Sequence, residues 1–240
     1  MLLVLIAFAA SPARGLSVAS QFAWSRDMMP AVELDAMVFP ASADAGRVLA
    51  SALATDYQTL KKADDALQDA DAVRAVANAL TLEECASLRA VCDEQMESQM
   101  NVDNVDRLPD FQVNLDFQED LAAVVGADAV LRLRRLPLLA FPEDGSFEFL
   151  RVGCFVRRYT PDSRTHMPFH VDGNAFTANV ALSSAEDHCG GDLIALFGGQ
   201  CRSVARNLGA ATVHRGNVLH AVSPLTSGER YALLLFFHRK

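Results

Sequence analysis

The sequence lacks the features that mark several common classes of protein. Its five cysteines include no Cys-x-x-Cys pair, so neither a structural zinc site nor a full disulfide framework is predicted. The net charge of −9 provides no basic stripe for a phosphate backbone, and we expect no nucleic-acid partner. No internal repeat or low-complexity tract occurs. With 51% hydrophobic and 21% charged residues, the 240-residue chain has the composition of a globular protein with a full core.

The sequence also lacks an apolar run long enough to cross a bilayer. The longest candidate, Met1 to Ala10, is about half of the ~20 residues that a spanning helix requires, so no stable membrane span is expected. Small residues follow it, and residues 1–26 contain no acidic side chain, as in signal and transit segments. We therefore predict targeting to the secretory pathway (endoplasmic reticulum) or to an organelle. A disordered start is the alternative.

The segment 27–100 is predicted to be an N-terminal extension with supporting helices. Apolar residues recur at intervals of three and four from Gly46 to Leu80, which predicts a helix with one buried face. Thr81 and Glu84 form a capping-box pattern, so a second helix should run from Leu82 to about Met96. Nothing in these helices suggests catalysis.

The segment 101–240 is predicted to be the catalytic domain. Asp120 to Leu133 is expected to be one more helix, and β character begins after Gly145. About eight short strands separated by Gly and Pro turns indicate a double-sheet jelly roll. The predicted fold class is therefore α+β, a double-stranded β-helix (jelly-roll) core with supporting N-terminal helices.

A metal site is predicted around the stretch Phe169-His170-Val171-Asp172. Because side chains alternate along a strand, His170 and Asp172 project to the same side and can share one ion. His220 follows after enough chain for several strands and turns, and it would complete a set of two histidines and one carboxylate. This set suits non-haem Fe(II), since it leaves coordination positions open.

A basic residue stands at a fixed distance from the last of these histidines. Arg230 lies ten residues after His220, across a turn that contains Pro224 and Ser227-Gly228, so it should begin the next strand. Its guanidinium could bind a carboxylate in bidentate fashion. With these four residues, the sequence resembles the Fe(II)- and 2-oxoglutarate-dependent dioxygenases of the prolyl 4-hydroxylase-like family. One departure is Arg230, where prolyl 4-hydroxylases usually carry Lys.

The resemblance implies a cosubstrate, a reaction and further site residues. It implies that His170, Asp172 and His220 hold Fe(II), that Arg230 binds the far carboxylate of 2-oxoglutarate, and that O₂ and ascorbate take part. The expected reaction hydroxylates a substrate C–H bond and releases succinate and CO₂. The same resemblance points to further cosubstrate-binding residues, namely Tyr159, Asn179 and Thr226. The loop between Tyr159 and His170 is longer than in prolyl 4-hydroxylases.

Several alternatives remain open from the sequence. The substrate is a peptide, with peptidyl proline as the first candidate, or a small molecule. His214 precedes Arg215-Gly216 and competes with His220 as a ligand, although no arginine follows it at the corresponding spacing. The chain is alternatively a non-catalytic jelly-roll module that binds a ligand or partner, or a cupin-like metalloenzyme that does not use 2-oxoglutarate.

Overall fold

The computed structural model describes residues 37–38, 57–145, 149–198 and 200–239. The predicted targeting segment 1–26 lies outside this part of the chain, and its targeting role stays a prediction. Within the described part, no helix has the length and apolar character that a membrane crossing needs.

The helices precede most of the strands in the chain. They are α1 (Tyr57–Lys62), α2 (Asp64–Gln68), α3 (Leu82–Gln99), α4 (Asp120–Val125), α5 (Ala127–Arg134) and α6 (Leu136–Ala140), followed by a 3₁₀ turn at Pro142–Asp144. The predicted capping box of α3 is confirmed, because the Thr81 hydroxyl accepts from the Glu84 amide and the Glu84 carboxylate accepts from the Thr81 amide. Cys85, Leu88, Cys92 and Met96 form the buried side of α3.

Two helix predictions were wrong in detail. The single helix expected from Asp120 to Leu133 is broken at Gly126, whose φ of +84° ends α4 and begins α5. The helix expected over residues 46–80 is replaced near its end by a strand at Val73–Val76, which pairs with a strand at Ala211–Arg215. Apolar spacing describes only the local periodicity of a segment, so it does not reveal a pairing partner that is distant in the sequence.

Two antiparallel sheets form the core of the fold. In chain order the strands are β1 (Met37–Val38), β2 (Val73–Val76), β3 (Gln112–Asn114), β4 (Phe149–Tyr159), β5 (Met167–His170), β6 (Phe176–Ala181), β7 (His188–Gly190), β8 (Leu193–Phe197), β9 (Gln200–Val204), β10 (Ala211–Arg215), β11 (Leu219–Val222), β12 (Leu225–Gly228) and β13 (Arg230–Arg239). The major sheet has the order β2-β10-β6-β13-β4-β3, and the minor sheet has the order β1-β9-β8-β11-β5. The short strands β7 and β12 form a separate pair. Mixed helices and antiparallel sheets in this arrangement confirm the predicted α+β jelly roll.

The two faces of the major sheet have different chemistry. Residues at alternate positions of β4, β6, β10 and β13 enter the apolar core beneath the helices; among them are Val156, Val180, Val213 and Leu233. The intervening positions point to the other face, which we call the interior face, and they carry the polar side chains Arg157, Tyr159, Thr177, Asn179, Thr212, His214 and Arg230. Because this alternation keeps polar groups out of the helix-covered core, it concentrates them between the two sheets.

Candidate metal centre and carboxylate pocket

Strand pairing in the minor sheet brings two histidines side by side. In the antiparallel β5–β11 pair, His170 lies directly opposite His220, and their ring centroids are 4.3 Å apart. The Nδ1 of His170 is 2.8 Å from the Pro168 carbonyl oxygen, and the Nδ1 of His220 is 3.0 Å from that of Val218. A carbonyl accepts only, so each Nδ1 carries a proton and each Nε2 is the nitrogen that faces the cluster.

Asp172 completes a compact set of donor atoms. It lies just beyond the end of β5 rather than within the strand, yet its carboxylate oxygens are 3.6 Å from His170 Nε2 and 3.8 Å from His220 Nε2. These three side chains form a group of metal-ligand type whose atoms lie within 4.8 Å of one another. The Thr177 hydroxyl donates to the Asp172 carboxylate and so fixes its orientation.

The protonation states of the cluster suit metal binding. Burial, and after it the neighbouring His220, lowers the pKa of His170 to about 4. Burial alone would raise the pKa of Asp172, but His220 and His170 more than offset this effect and lower it. Near neutral pH the cluster therefore presents a neutral imidazole at His170 beside a carboxylate, the forms that ligate metal ions.

The donor set fits a divalent ion of the Fe(II) type. Donors at right angles on an ion with bonds of about 2.1 Å lie about 3 Å apart, so the observed separations of 3.6 and 3.8 Å require only a small inward movement. The three donors would supply three ligands to such an ion, and the cleft lined by His170 and Asp172 leaves room for further ones. The arrangement can hold an octahedral ion with open positions.

His214 lies next to this cluster without joining it. Its ring centroid is 4.5 Å from that of His220, but its nitrogens fall outside the group of converging ligand atoms. Its Nδ1 is 2.9 Å from the Arg215 carbonyl oxygen, and its enclosed Nε2 has no hydrogen-bond partner among the described residues. His214 is therefore a buried neighbour of His220 rather than an alternative to it.

Arg230 is a fully buried cation with no carboxylate partner among the described residues. Its side chain is 0% exposed, and none of its guanidinium nitrogens makes a hydrogen bond to the described residues. Burial lowers the pKa of Arg230, while the Tyr159 phenol opposes this effect. An unpaired buried charge is costly, so this group calls for an anionic ligand.

Tyr159 and Asn179 accompany Arg230 on the interior face. Tyr159 pairs directly with Arg230 across β4 and β13, and the guanidinium carbon lies 4.7 Å from the centre of its ring. Burial would raise the pKa of Tyr159, but Arg157 and Arg230 offset this effect and lower it. Asn179 lies on the adjacent β6, opposite Leu234 of β13. All three side chains therefore belong to the interior face, and contact of Tyr159 and Asn179 with a cosubstrate stays a prediction.

Thr226 does not lie with them. It is exposed on β12, and its hydroxyl donates to the Cys189 carbonyl oxygen at 3.2 Å. The prediction that Thr226 lines the cosubstrate pocket is wrong, because β12 leaves the major sheet and pairs with β7 before the chain returns at Arg230.

Sequence reasoning missed two residues of the site. Thr177 holds Asp172, and its position two residues before Asn179 on β6 was an available signal for a shared face. Arg206 donates to the Asn179 side-chain oxygen at 2.8 Å. No spacing in the sequence marks Arg206, because it lies in the loop after β9.

A cleft opens beside the metal cluster. It has a volume of about 500 Å³ and is lined by His170, Asp172, Met167, Phe155, Arg157 and Gln112, with residues of the segment 101–110 on one wall. The cleft joins solvent to the donor atoms. A substrate in it would therefore lie next to the proposed ion.

The fold and the cluster together define a class, namely jelly-roll proteins with two histidines and one carboxylate arranged around a metal position. No family model matches the chain. Among curated proteins, the human and mouse "2-oxoglutarate and iron-dependent oxygenase domain-containing protein 2" are similar to it. The human protein is 31% identical over an alignment of 113 residues, and the match covers 43% of this chain and 31% of that relative. The chain thus matches about a third of the length of these relatives.

Solved structures give the particular family that the fold resembles. A prolyl-4-hydroxylase from Pseudomonas putida matches with a TM-score of 0.56 and 20% identity, covering 75% of this chain and 98% of that one. A prolyl hydroxylase from Trichoplax adhaerens, solved with a hypoxia inducible factor peptide fragment, matches with a TM-score of 0.53 and 13% identity, covering 77% and 94%. The predicted resemblance to prolyl 4-hydroxylase-like 2-oxoglutarate oxygenases is confirmed.

Proposed function

We propose that this chain is an Fe(II)- and 2-oxoglutarate-dependent oxygenase that hydroxylates a C–H bond of its substrate. One observation carries the proposal. The same jelly-roll interior encloses three converging metal-ligand side chains and a buried arginine without a hydrogen bond to the described residues. A metal ion accounts for the first feature, and an anionic cosubstrate accounts for the second.

The residues have separate tasks in this mechanism. When bound, Fe(II) and 2-oxoglutarate supply the oxidative step, in which cosubstrate is converted to succinate and CO₂ while one oxygen atom of O₂ enters the substrate. His170, Asp172 and His220 would hold the ion. Arg230 orients the cosubstrate through its far carboxylate, with the Tyr159 phenol beside it. Burial of Arg230 keeps water from competing for that carboxylate.

We propose a peptide as the substrate, with peptidyl proline as the first candidate. The cleft of about 500 Å³ is open to solvent and leads to the donor atoms, as access for a side chain requires. The Trichoplax relative in fold was solved with a peptide fragment. We also propose that ascorbate supports turnover. Targeting to the secretory pathway or an organelle stays a prediction.

The test is succinate formation by protein loaded anaerobically with Fe(II) and then given 2-oxoglutarate and O₂. We expect succinate from the wild type and a loss of at least about a hundredfold in His170→Ala, because it removes a ligand. His238→Ala is the matched control, since His238 lies at the far end of β13 from Arg230. Mass spectrometry of peptide and metabolite pools should then show a gain of one oxygen.

Three results would contradict the proposal. Absence of bound metal after loading would favour a non-catalytic jelly-roll module. Full turnover in Arg230→Ala would favour a cupin-like metalloenzyme that does not use 2-oxoglutarate. Unchanged succinate formation in His170→Ala would remove the assigned ion site.

A further inference from the structure

We call the buried surroundings of Arg230, Tyr159 and Asn179 the carboxylate pocket. Arg206 is a second arginine that reaches this region, through its contact with Asn179. It lies in the loop between β9 and β10, and one terminal nitrogen donates to the Asn179 side-chain oxygen at 2.8 Å. Its Nε is enclosed and has no hydrogen-bond partner among the described residues. The side chain is therefore fixed at one end and incompletely bonded.

Strand register places this contact on the interior face that also carries Arg230, with Asn179 opposite Leu234, four residues beyond Arg230 on β13. Asn179 projects from the interior face of β6, the strand that pairs with β13, whose first residue is Arg230. Burial, and after it the positive charge of Arg230, lowers the pKa of Arg206 well below its usual value. Both guanidinium groups thus belong to the same interior face, where the charge of Arg230 disfavours that of Arg206.

This concentration of positive charge is incompletely balanced. Asp192 opposes the effect of burial on both arginines, but it is exposed and makes no hydrogen bond to Arg230. Two cations in one enclosed site are costly unless an anion lies between them. A carboxylate has two oxygens with enough lone pairs to accept from both groups.

We propose that Arg206, positioned by Asn179, is the second guanidinium of the carboxylate pocket, and that the far carboxylate of the cosubstrate binds between Arg230 and Arg206. The inference rests on the proposed function and adds a residue that determines cosubstrate selectivity. It implies that the pocket discriminates strongly between a 2-oxo acid with a charged tail and one of the same length with a neutral tail.

The test compares two ligands by calorimetric titration of anaerobic protein loaded with Mn(II). The ligands are 2-oxoglutarate and 2-oxopentanoate, which has a methyl group where 2-oxoglutarate has its far carboxylate. We expect Arg206→Gln to weaken 2-oxoglutarate binding by about tenfold to a hundredfold, the size of a lost charge-assisted hydrogen bond. Its binding of 2-oxopentanoate should stay within about twofold of wild type. Arg206→Lys should recover part of the loss.

Stability without ligand provides an independent measurement. Since Arg206→Gln removes one of two mutually repelling charges, the ligand-free variant should unfold at the same temperature as the wild type or a higher one. Arg202→Gln is the matched control, because Arg202 lies on β9, four residues before Arg206. Its guanidinium stacks on Phe197, with the guanidinium carbon 4.9 Å from the ring centre. This control should leave the affinity of both ligands unchanged.

The outcomes separate this inference from the proposed function. If Arg230→Gln loses 2-oxoglutarate binding and Arg206→Gln does not, the second-arginine proposal is wrong and the oxygenase proposal stands. If Arg206→Gln weakens both ligands equally, Arg206 supports the fold rather than the carboxylate. If the wild type does not prefer 2-oxoglutarate to 2-oxopentanoate, both proposals are wrong.

Discussion

At the scale of single residues, Gly191 determines whether Arg230 can occupy its buried position. Gly190 and Gly191 both have φ of +71°, a backbone conformation that favours glycine. The structure adds a steric reason for the second glycine. A Cβ on Gly191 would lie 2.8 Å from Leu225 Cδ1 and 2.9 Å from Arg230 Cδ. Gly191 thus provides the space through which the arginine side chain passes.

We predict that Gly191→Ala displaces Arg230 and weakens 2-oxoglutarate binding by at least about tenfold, with a loss of roughly 1–3 kcal/mol in the free energy of unfolding. Titration calorimetry and urea unfolding measure the two effects. Gly126→Ala is the matched control, since Gly126 has φ of +84° with no atom within 4 Å of the added Cβ. It should lose stability and keep cosubstrate affinity. Equal affinity in both variants would contradict the steric role of Gly191.

At the scale of elements, buried ion pairs hold the segment 101–110 against the cleft. An Arg157 terminal nitrogen is 2.6 Å from the Asp103 carboxylate, and an Arg164 terminal nitrogen is 2.9 Å from that of Asp106. The side chains of Asp103 and Arg157 are only 7% and 8% exposed. Burial opposes ionisation of Asp103, but Arg157 lowers its pKa and keeps it charged. The wall of the cleft is therefore fixed by charges from β4 and its following loop.

We predict that Asp103→Asn releases this wall, because it leaves the buried Arg157 without its carboxylate. The free energy of unfolding should fall by about 3–5 kcal/mol, the usual cost of breaking a buried pair. Hydrogen exchange at residues 101–110 should accelerate. Asp93→Asn is the control, since Asp93 is 48% exposed and 3.0 Å from Arg158, and its loss should cost under about 1 kcal/mol. Unchanged exchange in Asp103→Asn would show that the ion pair does not hold the segment.

At the scale of the whole molecule, the enclosed histidines couple stability to pH. Burial, and after it His220, lowers the pKa of both His170 and His214 to about 4. In the unfolded chain these imidazoles take up protons near pH 6.5. Between about pH 6.5 and 4 the unfolded state therefore binds more protons than the native state, so stability falls as the pH falls through this range.

We predict that the metal-free protein, kept with a chelator, loses on the order of a few kcal/mol of unfolding free energy between pH 7 and pH 4.5. Urea unfolding at several pH values measures this change. The variant His214→Asn should show a shallower dependence, because it removes one buried imidazole that the unfolded state would protonate. Stability that rises on acidification would contradict the assignment of neutral histidines to the native interior.

Chain topology explains which parts of the structure could be predicted from the sequence. The start of α3 follows from a local signal, since the Thr81–Glu84 capping box involves atoms three residues apart. The strands of the β-rich half follow from alternation. In contrast, Val73–Val76 has apolar residues at helical spacing but pairs with β10. The local sequence pattern does not identify that partner, because β10 is distant in the sequence.

The sequence by itself determined the proposed ligand set, because the order and spacing of His170, Asp172, His220 and Arg230 already mark these residues, even though Asp172 lies just beyond β5 rather than within the strand. The tertiary structure alone decided that Arg206 reaches Asn179, that Thr177 holds Asp172, and that Thr226 lies outside the pocket. The physical reason is that alternation fixes which face of a strand a side chain occupies. Which distant side chain it then meets depends on sheet order and on the paths of the connecting loops.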